Sequence, residues 1–227
     1  MPEATLKLPG AERLARGLWR WTAYHPEWKQ DVGCVAYTRG SGAELVLIDP
    51  MLPAAEADRR RFLRALDREV RARSRPLKVL VTIHWHKRHA TEIVGRYSRA
   101  PGAELWGPST AARKLSLDDG RALDRARRIP SDVVAFETRR GEEVVLWLPS
   151  ARGVVAGDAL LGGKRKPLRV CPQSWFPAGV DRAAVARSLR PLTKLPVELV
   201  VPLHGEPILE DAATVLAGAL AEAAGRA

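Results

Sequence analysis

Five histidines occur in the chain, at positions 25, 84, 86, 89 and 204, and three of them fall in the run His84-Trp85-His86-Lys87-Arg88-His89. Neutral imidazole is a ligand for zinc, iron or manganese. His84 and His86, at i and i+2, can chelate one ion, while His89 leaves on the following turn and can face a second position. Two further segments end in a ligating side chain: Val154-Val155-Ala156-Gly157-Asp158 and Val200-Val201-Pro202-Leu203-His204-Gly205. In all three places the polar residue stands just past an apolar run. A lone histidine is most often satisfied by ordinary hydrogen bonds. Four of them with a carboxylate are better explained together, because buried polar groups need partners and one metal centre satisfies them all.

Those side chains need a scaffold that fixes their backbones, and the ends of buried strands do this. Val32 to Tyr37 and Glu44 to Asp49 read as a β-hairpin around Thr38-Arg39-Gly40-Ser41-Gly42, after a polar lead-in over residues 1–20. Phe62, Leu63, Leu66 and Val70 recur at helical spacing between Ala55 and Ser74, predicting a surface helix that Pro76 ends. Leu77 to Ile83 is a continuous apolar run, as for a strand buried on both faces, and it leads straight into the histidine cluster. A helix from Thr91, a short strand at 103–106 and a helix over 109–115 follow, then a polar segment from Leu117 to Arg128. Strands are expected at 133–136, 143–148, 153–156 and 198–201, with helices capped by Asp181 and closing the chain over 209–224. Strands in two batches, each followed by helices, predict two sheets packed face to face with helices outside.

On these residues the chain resembles the metallo-β-lactamase superfamily, from about Trp21 to Leu209. The likeness comprises the hairpin closing on Leu47-Ile48-Asp49, the histidine motif, the Gly157-Asp158 element and the late His204-Gly205. It implies a single domain over residues 1–227 with a four-layer αββα sandwich and a shallow site at one edge of the sheets. It also implies a metal-dependent hydrolase of esters, thioesters, lactones or phosphoesters. Carried over residue by residue, His84 and His86 bind a first metal, His89 and His204 a second, Asp158 bridges them, and Asp49 orients the cluster from behind. The chain departs from the family pattern H-x-H-x-D-H, because Arg88 stands where the aspartate belongs. The family's further histidine, between the first motif and Gly-Asp, is also missing; Glu137 or Thr138 falls near that place, and Glu137 can ligate. With two ligands replaced or lost, one ion is expected, zinc or else manganese or iron, with a metal-free site as the alternative. Arg88 then stands in for the second ion's charge and clamps an anionic group of a small-molecule substrate, acting beside Asp158 in catalysis.

Two other function classes compete with this hydrolase. A non-catalytic binding or scaffold protein would keep the fold around a degenerate site. A nucleic-acid-processing enzyme would use the formal net charge of +11, from 37 Lys plus Arg against 26 Asp plus Glu. The basic residues are spread along the chain, however, with clusters such as Arg59-Arg60-Arg61 and Arg71-Ala72-Arg73 on one amphipathic helix. No apolar run reaches a membrane-spanning length and the N-terminus carries no secretory pattern, so neither a membrane span nor export is expected. Cys34 and Cys171 form no Cys-x-x-Cys pair, which points to a reducing cytoplasm. Core packing is the expectation for Cys171-Pro172-Gln173-Ser174-Trp175-Phe176, with an aromatic pocket wall as its rival. His25 reads as a loop residue, and Gly162-Gly163-Lys164-Arg165-Lys166 lacks the strand-to-helix setting of a nucleotide loop.

Overall fold

The computed structural model describes residues 5–39, 42–99, 101–117, 121–124, 129–162 and 167–225. Most of the basic glycine-rich segment at 162–166 and part of the polar stretch at 117–128 lie outside them. The first half of the chain forms β1 (Glu12–Ala15), β2 (Leu18–His25), β3 (Gln30–Tyr37), β4 (Val46–Ile48), α1 (Glu56–Arg71), β5 (Leu77–Leu80), α2 (Ala90–Arg96), β6 (Ala103–Pro108), α3 (Ala112–Leu115) and β7 (Ala122–Leu123). Its strands make one sheet in sequence order, antiparallel from β1 to β4 and parallel from β4 to β7. The second half supplies β8 (Val134–Glu137), β9 (Val144–Leu148), β10 (Gly153–Ala156), β11 (Leu160–Leu161), β12 (Arg169–Val170), α4 (Arg182–Leu189), β13 (Leu199–Pro202) and α5 (Ala212–Ala223). A second sheet has the order β13-β10-β9-β8, and β11 pairs with β12 alone.

Side-chain alternation explains how the layers stack. In β3, Val32, Cys34 and Ala36 face α1, where they meet Phe62, Leu66 and Val70, while Val35 and Tyr37 face the other sheet. In β9 and β10, Val145, Trp147, Val154 and Ala156 pack against Val185, Leu189, Leu216 and Leu220 of α4 and α5. Val144, Leu146, Leu148 and Val155 join Leu18, Ile48 and Leu80 in the layer between the sheets. The architecture is an αββα sandwich, as expected. The expected lead-in over residues 1–20 is corrected: β1 and the start of β2 occupy it, and Leu6 and Leu8 are buried.

At one edge the two sheets are tied by backbone hydrogen bonds. Val144 N–H donates to Thr82 O (2.9 Å), Ile83 bridges Glu143, and Gly33 N–H donates to Leu203 O (2.7 Å). The segments that follow β4, β5, β10 and β13 all emerge there.

Candidate metal centre

Asp49 follows β4 with φ +46°, a left-handed turn that points its carboxylate across to the end of β5. Thr82 N–H donates to its Oδ1 (2.7 Å), Thr82 Oγ1–H donates to Oδ2, and the same Oδ2 lies 2.7 Å from His86 Nδ1. A carboxylate accepting from Nδ1–H fixes the ring and leaves the Nε2 lone pair facing outward, as for a metal-ligating histidine. Nε2 lies 3.2 Å from Asp158 Oδ1, and His204 Nε2 approaches the same oxygen at 3.0 Å. All three residues are buried, and the three atoms face one another with no other hydrogen-bond partner. They lie within 4.8 Å of one another.

This donor set fits a metal ion. Atoms bound at about 2 Å around a tetrahedral centre sit ~3.3 Å apart, close to the two separations here. Two imidazoles and one carboxylate suit zinc, and equally iron or manganese. The Gln30 amide nitrogen lies 3.4 Å from His204 Nδ1, and by turning over the amide can accept from Nδ1–H and leave His204 Nε2 free.

The other oxygen of Asp158 is held from behind. Oδ2 accepts from Trp85 Nε1–H (2.9 Å) and lies 3.2 Å from Arg140 Nη1. Arg140 also pairs with Glu143 Oε2 at 3.2 Å, and Glu143 Oε1 accepts from the backbone N–H of Asp158 (2.8 Å) and Ala159 (2.7 Å). Burial would raise the Asp158 carboxyl, but the bonds and charges of His204 and His86 outweigh it and hold it far below the usual range. Burial pushes Glu143 up to about 7 despite Arg140. His204 is lowered chiefly by burial; burial also lowers His86, but the Asp49 charge together with the hydrogen bonds to Asp158 and Asp49 outweighs it and raises that imidazole. Gly157 permits this crowding, since a Cβ there would meet Thr82 Oγ1 at 2.5 Å.

Of the residues singled out from the sequence, His86, Asp158 and His204 come together with Asp49 behind them. His84, His89 and Glu137 do not, so the two-site ligand set is corrected. His84 to Lys87 form a turn of 3₁₀-helix rather than an extended strand end. At about 120° per residue, positions i and i+2 diverge instead of sharing a face. His84 accordingly places its Nδ1 2.9 Å from Glu142 Oε2. At Arg88 the backbone turns sharply, with φ 37° and ψ −112°. His89 then faces α1 and the segment leading into it: its Nδ1 accepts from Leu52 N–H (3.2 Å), before the helix, and its Nε2 lies 3.4 Å from Arg59 Nη1 on it. Glu137 is exposed at the end of β8.

Arg88 is half-buried and donates from Nη1 to the Asp49 carbonyl (3.3 Å), and its charge bears on both His86 and His204. It is not among the side chains lining the cleft of about 470 Å³ above the centre, which are Trp28, Gln30, Trp85, Arg140, Asp158 and Trp175. The cation on Asp158 is Arg140, three residues past Glu137 in the β8–β9 turn, and only its place near the missing histidine could have signalled it. Trp175 lines this cleft rather than the core, whereas Phe176 packs inward as expected.

No protein-family model matches the chain, and no curated protein matches it. Solved structures do. A metallo-β-lactamase from Hirschia baltica aligns over 96% of this chain and 98% of its own at 13% identity, with a TM-score of 0.64. A β-lactamase domain protein from Burkholderia ambifaria aligns over 99% and 77% at 16% identity, with a TM-score of 0.66. A metallo-β-lactamase family protein from Thermus thermophilus aligns over 94% and 80% at 15% identity, with a TM-score of 0.61. Helix-covered paired sheets, a His-Asp-His cluster at their shared edge and these alignments along nearly the whole chain establish that the protein has the metallo-β-lactamase fold.

Proposed function

We propose that the protein is a metal-dependent hydrolase that works with a single ion held by His86, Asp158 and His204. The observation that carries this reading is the convergence of three buried ligand atoms that lie within 4.8 Å of one another and engage no group outside the cluster. Such an ion, zinc or else manganese or iron, supplies Lewis acidity and a lowered pKa for bound water. Asp49 fixes the tautomer of His86, and Arg140 with Trp85 engages Oδ2 of Asp158 so that Oδ1 faces His86 and His204. Arg88 places a positive charge beside the centre, which favours developing negative charge on an ester, thioester, lactone or phosphoester. Cys34 and Cys171 are free and buried, consistent with a reducing cytoplasm.

Hydrolysis of a panel of those four substrate types, before and after chelation, tests the proposal. The expected result is activity that chelation abolishes, that zinc or manganese restores, and that His204→Ala lowers at least 100-fold. A rate indifferent to both treatments would refute it. A metal-free binding protein is the second reading, favoured by the Arg140–Asp158 ion pair, which already neutralises the carboxylate without an ion.

A further inference from the structure

Three of the chain's seven tryptophans stand open around one cleft. Trp28, Trp85 and Trp175 are 39%, 41% and 42% exposed, although most large apolar side chains fill the three core layers. They are held in place. Trp28, in the β2–β3 turn, stacks on His25 with ring centroids 4.8 Å apart at 21°, and its own ring lies 5.0 Å from that of His204 and 6.3 Å from that of His86. Trp85 is fixed by its Nε1–H on Asp158 and has the Arg140 guanidinium 5.0 Å from its ring centroid. The Trp175 carbonyl accepts from Arg140 Nη2 (3.2 Å), so one guanidinium ties two of the three walls to the centre.

Fixed aromatic walls around a few polar groups make a small-molecule site, and about 470 Å³ is a volume for a single compact ligand. Flat rings gain most by stacking on indole. The charges then decide the ligand's sign. An organic cation would find the guanidinium of Arg140 already beside Trp85, Asp158 already neutralised, and the charge of Arg88 bearing on both histidines.

We infer that the three tryptophans form a binding site for an uncharged or anionic planar aromatic group, which makes the substrate an aryl ester. The identity of the scissile bond rests on the hydrolase reading above; the stacking does not. In the reaction, water adds to the acyl carbon and the bond to the aryl oxygen breaks. A carboxylic acid and a phenol result, the phenol oxygen taking up a proton from water.

Calorimetric titration of the chelated full-length protein tests the site without a metal, using 2-naphthoate, cyclohexanecarboxylate and N,N,N-trimethylanilinium as probes. The expected result is naphthoate binding at least tenfold tighter than cyclohexanecarboxylate, with no detectable binding of the ammonium. Trp28→Ala should weaken naphthoate at least tenfold and Trp28→Phe much less, in variants whose circular dichroism matches the parent. Equal affinity for the two acids, a preference for the ammonium, or no effect of Trp28→Ala would each overturn the inference. Hydrolysis of 2-naphthyl acetate by the zinc-loaded protein separates the two proposals. Ring-selective binding without turnover supports the aromatic site and contradicts the hydrolase, whereas turnover without ring selectivity does the reverse.

Discussion

Arg140 pairs with two buried carboxylates at once, and its own side chain is almost as buried as theirs. Ion pairs of this kind contribute little net stability when formed, but breaking one strands the remaining charges out of water. Arg140→Ala therefore leaves Asp158 and Glu143 facing each other and should cost about 3–5 kcal/mol. Urea unfolding of the two proteins measures this, and a loss below about 1 kcal/mol would show that the carboxylates relax into solvent. The sequence points to His86, Asp158, His204 and Asp49 because each follows an apolar strand. It carries no sign of Glu143 or Trp85, and of Arg140 only its place near the missing histidine; these residues act through a hairpin turn and a 3₁₀-turn whose geometry depends on tertiary contacts. The same 3₁₀-turn explains why His84 resembles a ligand in the sequence alone: spacing at i and i+2 brings side chains together only in an extended chain.

Helices α1 and α2 are clasped by Asp67, whose carboxylate accepts from Arg96 Nε (2.8 Å) and Nη2 (2.7 Å) and from Tyr97 Oη (2.8 Å). Arg96 holds the Asp67 carboxyl below the usual range, outweighing burial. A carboxyl whose folded pKa is depressed adds stability above its ordinary value near 3.8, and that stability is lost as pH falls through the folded pKa. Because Arg96 is well exposed, solvent screening keeps the contribution to about 1 kcal/mol. Asp67→Asn should thus unfold at lower denaturant near neutral pH, and the difference should vanish in strong acid; a gap that persists there would implicate packing instead. At this scale most strands and helices are legible from period. The β2 strand is not, because Arg20 interrupts its apolar run and yet lies inside, with Nη2 on the Gly205 carbonyl (2.8 Å). Without that hairpin the sequence also hides Trp28, which sits in its turn.

The charge of the whole molecule is unevenly presented. Arg61, Arg64, Arg68 and Arg71 recur at three- and four-residue steps on the exposed face of α1, opposite Phe62, Ala65, Leu66 and Val70. Nearby acids are engaged elsewhere, Glu56 by Arg60, Asp67 by Arg96 and Glu69 by Arg73. Such a stripe predicts weak, sequence-independent binding of duplex nucleic acid that falls steeply with salt. Replacing all four arginines by glutamine should flatten the plot of log affinity against log salt by about 0.9 for each phosphate that is no longer neutralised. An unchanged slope would show that the stripe is only a solvated face. The paired-sheet sandwich itself is readable from two batches of strands. Its ligand count is not, since that depends on how the chain turns at Arg88. Among the described residues no helix is long and apolar enough to cross a membrane.

Zinc titration of the purified protein and four single variants, followed by calorimetry and elemental analysis after dialysis, tests the central claim most directly. The wild-type protein should bind one equivalent. Asp158→Ala and His204→Ala should weaken binding at least 100-fold, whereas His84→Ala and His89→Ala should leave it intact, because those two imidazoles face Glu142 and Leu52 instead of the centre. Two tight equivalents, no binding at all, or a loss in His84→Ala equal to that in His204→Ala would contradict a single site built from His86, Asp158 and His204.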